Sequence, residues 1–102
     1  MATLKLQFTL AASRRLDEIL DFIAQENPEA ADQLSERIEL GLIRLSEFPA
    51  SGRKIPEAPE RRERELVIPP SVRVFYRVEG KVLWVLYAMR SEQAFRSEIL
   101  GG

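Results

Sequence analysis

The chain has no histidine and no cysteine. The side chain most used for proton transfer near neutral pH is therefore missing, along with thiolates and the commonest metal ligand. What remains is binding chemistry built on arginine and aromatic carbon. Arg73, Phe75 and Arg77 alternate in "SVRVFYRVEG", and Trp84 and Arg90 follow in "KVLWVLYAMR". Arginine, tryptophan and phenylalanine are enriched where proteins recognise partners. Arginine stems can also simply lie over aromatic rings and cover them. Arg73, Phe75, Arg77, Trp84 and Arg90 are taken as the candidate residues for binding a target or partner. No catalytic residue, metal site or cofactor motif is assigned.

The elements that position these residues follow from the apolar pattern. Residues 71–90 read as a β-hairpin with a two-residue turn at Glu79-Gly80. Val78 then pairs with Lys81, Tyr76 with Leu83, Val74 with Val85 and Val72 with Tyr87. Because side chains alternate across a strand, Val72, Val74, Tyr76, Leu83, Val85 and Tyr87 share one apolar face, the one to be covered. The other face carries Arg73, Phe75 and Arg77 with Val82, Trp84 and Leu86, and Ala88 and Arg90 further along. A sheet with helices on one side only leaves that second face open to a partner.

Upstream, Leu4, Leu6 and Phe8 alternate with polar residues and predict a half-buried first strand. Thr9 or Ser13 can cap a helix whose stripe is Leu16, Ile19, Leu20 and Ile23. Asn27, Pro28 and Glu29 make a second helix start. Its stripe runs through Ala31, Leu34, Ile38, Gly41, Leu42, Leu45 and Phe48 and stops before Pro49. Residues 49–64 are Pro-rich and charged and predict a surface loop. Within it the run Glu60 to Glu65 alternates sign and reads as a mutually screened surface, with Arg53 and Lys54 as solvated loop charges. Glu65 to Ile68 gives a short strand closed by Pro69-Pro70. The result is one α+β domain of 102 residues in the order β-α-α-β-β-β, a helical hairpin on one face of a mainly antiparallel sheet. Its parts are a strand over 1–10, the helical hairpin over 11–48, the loop over 49–64, the sheet over 65–90, and a tail over 91–102 expected to fray.

Residues 1–51 carry five basic and nine acidic side chains, and residues 52–102 carry ten and seven. The acidic first half and pI near 5.6 argue against direct sequence-specific nucleic-acid binding. No run reaches the roughly 18 apolar residues of a membrane span, and the N-terminus lacks the pattern of a signal peptide. A cytoplasmic protein with no membrane partner is expected.

Several stretches together resemble the ParE/RelE superfamily of toxins from type II toxin–antitoxin modules. They are "DEILDFIAQENPEAADQL", "FPASGRKIPE" and "RELVIPPSVRVFYRVEGKVLWVLYAMR", and the likeness spans about residues 3 to 96. It implies a toxin held inactive in a hetero-oligomer with a ParD-like antitoxin, whose C-terminal segment wraps the helical hairpin and sheet. Leu16 to Ile23, the outer side of the second helix and the face at Phe75 and Trp84 are where such a segment would lie.

The superfamily divides by target. RelE-like members are ribosome-dependent mRNA endoribonucleases that use basic residues and a C-terminal Tyr or His; ParE-like members inhibit DNA gyrase by binding. Carried over onto this chain, Arg73 matches the arginine opening the "RVFY" strand and Arg90 the one ending the last strand. The C-terminal Tyr position falls on Phe95, which has no proton to exchange, and Glu92 is left as a conceivable base. With Phe95, the low pI and the long helices, the resemblance is closer to ParE, and DNA gyrase is the expected target; the alternative is the RelE-like endoribonuclease.

Overall fold

The computed structural model describes residues 3–101. Strand β1 is Lys5–Phe8, followed by helices α1, Leu10–Ala24, and α2, Pro28–Glu47. A 3-10 turn, Pro49–Ser51, leads into β2, Arg53–Lys54; β3 is Arg64–Ile68, β4 Val72–Glu79 and β5 Val82–Arg90, and a last 3-10 turn spans Ser97–Leu100. The sheet order is β1-β5-β4-β3-β2, antiparallel throughout except that β1 runs parallel to β5. Among the described residues no helix is long and apolar enough to cross a membrane.

Both helix starts follow from capping chemistry. The Thr9 hydroxyl accepts from the Ala12 amide and donates to the Leu86 carbonyl, so one side chain caps α1 and ties it to β5. Asn27 accepts from the Ala30 amide, with Pro28 in the first turn where its missing N–H costs nothing. The stripes Ile19 and Leu34, Ile38, Leu42, Leu45 pack on Val72, Val74, Tyr76, Leu83, Val85 and Ala88 to form the main core. Gly41 lets α2 approach β3, where Leu66 fills the space a side chain would take.

The hairpin departs from the sequence expectation in two ways. Its turn is Gly80-Lys81, with Glu79 opposite Val82. The first turn residue needs positive φ, which Gly80 adopts at 59° and glutamate would resist. The register therefore slides by two residues, which leaves the faces unchanged: Tyr76 faces Val85 and Arg77 faces Trp84. Then a bulge inserts Leu86 on β5, so that Phe75 pairs with Tyr87 and Val72 with Arg90. Beyond it the faces exchange. Tyr87, expected in the main core, joins the second face, while Ala88 and Arg90 turn to the helix side.

The second face is not open. Ile55 and Ala58 from residues 55–63, and Phe95, Ile99 and Leu100 from the tail, cover Phe75, Leu86 and Met89 to form a second core. Residues 49–64 are thus a structural layer rather than a plain surface loop, and the tail expected to fray is packed as far as Leu100, which is 2% exposed; Gly102 lies outside the described residues. β2 was not foreseen, and Glu63 and Glu65, read as surface charges, are buried.

Gly52 anchors this layer. A Cβ there would fall 2.2 Å from the Tyr76 hydroxyl, which donates to the Pro49 carbonyl at 2.6 Å. The buried ring cannot step aside. Gly52→Ala is expected to lower stability by about 1–3 kcal/mol through overpacking. Gly41→Ala meets only the flexible end of Leu66 and gains helix propensity, and it is expected to stay within about 1 kcal/mol of the parent. Urea unfolding of the two variants checks the ranking.

Candidate binding surfaces

Arg73 lies in β4, and its pairing with Val67 of β3 aims it at the second face beside Glu65. Only 7% of it is exposed. Its guanidinium donates to Glu57 through both terminal nitrogens, at 2.9 and 2.7 Å, and to Oε1 of Glu65 at 2.5 and 3.2 Å. Arg53 donates to the other oxygen of Glu65 at 2.8 Å. The guanidinium also contacts the rings of Phe75 and Phe95, 5.1 and 5.9 Å from their centroids.

The electrostatics follow this geometry. The Arg73 hydrogen bonds hold Glu57 below the ordinary carboxylate range. At Glu63 burial is the largest influence and acts upward, but the Arg61 hydrogen bond and the charges of Arg61 and Arg77 outweigh it and leave the group lowered. Arg73 is pushed further above its usual value, first by the bond to Glu57 and, against the effect of burial, by Glu65.

The five candidate residues do not form one site. Phe75 is fully buried, its ring tilted by 52° against Phe95 with centroids 5.5 Å apart, and with Arg73 it belongs to the second core rather than to an open face. Arg77 and Trp84 stay together at the rim of the second face, opposite each other across the hairpin. Arg77 pairs with Glu79 at 3.1 Å and approaches Glu63 at 3.8 Å. Trp84 is half-buried, with Gln7 of β1 as its other neighbour. The bulge sends Arg90 to the helix side, 4.4 Å above the exposed ring of Phe22 and 3.3 Å from Glu92. Arg15 and Gln93 complete that cleft, with Arg15 donating to Gln93 at 2.8 Å.

A larger and more apolar concavity lies elsewhere. Leu6, Phe8, Leu16, Leu20, Ile38, Leu42 and Ile43 line a groove of 340 Å³ between the helices and β1. Phe8 and Ile43 stand 40% and 43% exposed on its walls. β1 is an edge strand. The Lys5 and Thr9 amides donate inward, to Lys81 and Val85, so alternation points the backbone groups of Leu6 and Phe8 outward. Leu16 to Ile23 and the outer side of the second helix were expected to contribute to such a groove; Ile43, apolar but off the α2 stripe, was the unused signal for its α2 wall. Among the described residues no cluster of acidic side chains could hold a metal ion.

Comparison with known proteins gives three findings. The model of the family described as "ParE toxin of type II toxin-antitoxin system, parDE" matches residues 6–95. The Sinorhizobium fredii protein named "Putative toxin Y4kP" is 43% identical over 53 residues, 52% of this chain and 55% of that protein; the chain thus spans about half the length of this curated relative. A chain from the structure titled "Chromosomal ParDE TA system from P. aeruginosa" superposes with a TM-score of 0.70 at 24% identity, covering 88% of this chain and 98% of that one. That likeness bears on the fold.

The carboxylate cluster predicts a pH dependence. A carboxylate lowered on folding stabilises the protein above its unfolded value and loses that contribution as the pH falls through its depressed folded value. The urea midpoint is expected to decline as the pH drops below 4.5 and through the lowered values of Glu57 and Glu63. Glu57→Gln should flatten part of that decline. An identical profile in parent and variant would detach Arg73 from Glu57.

Proposed function

The chain belongs to the ParE toxins of type II toxin–antitoxin systems, and from that membership we propose that it is neutralised by a ParD-like antitoxin and acts by binding DNA gyrase rather than by cutting RNA. The state of Arg73 carries this reading. Its charge is met by Glu65 and Glu57, it touches two phenyl rings and it is 7% exposed, so Arg73 presents no free guanidinium to a scissile phosphate. Phe95, at the position where the ribonuclease relatives carry a proton-transferring side chain, is half-buried against Phe75 and brings no ionisable group. Binding, by contrast, needs only surface. Trp84 beside Arg77 at the rim of one side of the sheet, both half-buried, and Arg90 over the exposed ring of Phe22 on the other are the aromatic and cationic groups available to a target.

The antitoxin's place is the groove between α1, α2 and β1. An amphipathic helix lays its apolar face into such a groove, and an extended segment adds to an unpaired sheet edge; both features adjoin here. Ile43→Asp sets a charge on the exposed wall without disturbing the core. It is expected to weaken antitoxin binding at least about tenfold, by calorimetry, with an unchanged circular dichroism spectrum.

Gyrase action is tested directly. The purified chain should inhibit DNA supercoiling by gyrase and leave translation intact in a cell-free system. Trp84→Ala and Arg90→Ala are each expected to cut that inhibition at least about tenfold, with antitoxin affinity of Arg90→Ala changed less than about twofold. Translation failing while supercoiling persists would transfer the protein to the ribosome-directed class.

A further inference from the structure

The tail covers the second core but is scarcely bonded to it. Residues 91–93 are anchored: the Ser91 amide donates to the Ser71 carbonyl, and the Gln93 side chain accepts from the Arg90 amide and from Arg15. From residue 94 to 101 the hydrogen bonds are only those inside the tail, Ile99 to Arg96 and Gly101 to Glu98, and neither Arg96 nor Glu98 forms an ion pair among the described residues. The segment is held by Phe95, Ile99 and Leu100 resting on Phe75, Leu86 and Met89. The layer beside it is tied down differently, through both nitrogens of Arg73 on Glu57 and through β2 on β3.

The packing beneath the tail is also incomplete. A cleft of 270 Å³, lined by Leu86, Tyr87, Ile99 and Leu100 with Thr9 and Ala11, runs between the last 3-10 turn and the start of α1. Lifting the tail breaks no hydrogen bond to the sheet. Nor does it strand a charge, because Arg73 keeps Glu65 and Glu57. The opening costs apolar exposure and the contact of the Arg73 guanidinium with the Phe95 ring, which places it among the sub-global openings that precede unfolding.

We infer that residues 94–101 form a detachable strap, hinged at 91–93, that opens while the rest of the domain stays folded and uncovers an apolar floor of Phe75, Leu86 and Met89. The inference does not depend on what the toxin targets. The half-buried side chains of Trp84 and Tyr87 border the surface that is uncovered when the strap lifts.

Met89 is a built-in reporter, since the chain's only other methionine is Met1 and Met89 is 2% exposed under the strap. Peroxide oxidation of Met89 in the isolated folded chain is followed by mass spectrometry across low urea concentrations. A strap opening exposes little surface, so the rate should exceed that set by global unfolding and rise only shallowly with urea. Leu100→Ala should accelerate it at least about tenfold without steepening the urea dependence, whereas Leu42→Ala, the same truncation in the main core, should act only through global stability. If Met89 in the parent oxidises at the global unfolding rate with its steep urea dependence, the strap does not open on its own. The same holds if Leu100→Ala and Leu42→Ala act alike once global stability is matched. The parent measurement decides the matter even if a variant fails to fold.

Discussion

Glu65 is a carboxylate with no solvent exposure, and the architecture of one whole side of the sheet follows from keeping it paired. An ion in that position is tolerated only when its oxygens are taken up by cations and hydrogen bonds. Strands on both sides supply them, Arg53 from β2 and Arg73 from β4. Arg73 then carries a second carboxylate, Glu57, which draws residues 55–63 over the sheet and buries Ile55 and Ala58. Such a cluster adds little net stability compared with an apolar core. Removing Arg73 is the costly break, because it leaves the buried Glu65 with Arg53 as its one remaining partner.

This chain of dependence explains what the sequence disclosed. The helices were legible almost to the residue, because Thr9, Asn27 and Pro28 act on their own neighbours and the stripes repeat within two turns. The strands and the faces of Val72, Val74, Tyr76, Leu83 and Val85 were legible for the same reason, a period of two. The second layer was hidden. Ile55 and Ala58 are single apolar residues in a Pro-rich stretch with no period, and their burial depends on an ion pair with a strand sixteen residues away. The alternation of Glu60 to Glu65 did hold a clue. A period of two leading into a strand sets Glu63 and Glu65 on one face, and that face is the covered one.

The bulge was less accessible still. From Leu83 to Met89 the β5 sequence is apolar without a break, so inserting Leu86 leaves no violated position to reveal it. Its effect on the candidate site is nonetheless the largest of any single residue. With an unbroken strand, Arg90 would share a face with Arg77 and Trp84. With the bulge it lies over Phe22 on the helix side, and one expected surface becomes two. Tyr87 moves the opposite way and extends the apolar rim beside Trp84.

A groove on the helix side and a tryptophan on the opposite side pose a geometric question for any neutralising partner, and β1 supplies the link. Its residues alternate between the two sides: Leu6 and Phe8 line the groove, while Gln7 pairs with Trp84 on the second face. An extended segment added to the free edge of β1 inherits that alternation, with successive side chains directed to opposite faces. It would lie about 10 Å from β5, two strand spacings away, within reach of Trp84 for a long side chain. One short strand could therefore fill the end of the groove and crowd the tryptophan at the same time. On the proposed reading, neutralisation requires no change of shape in the toxin. It needs only a partner that follows the one edge where both sides of the sheet meet.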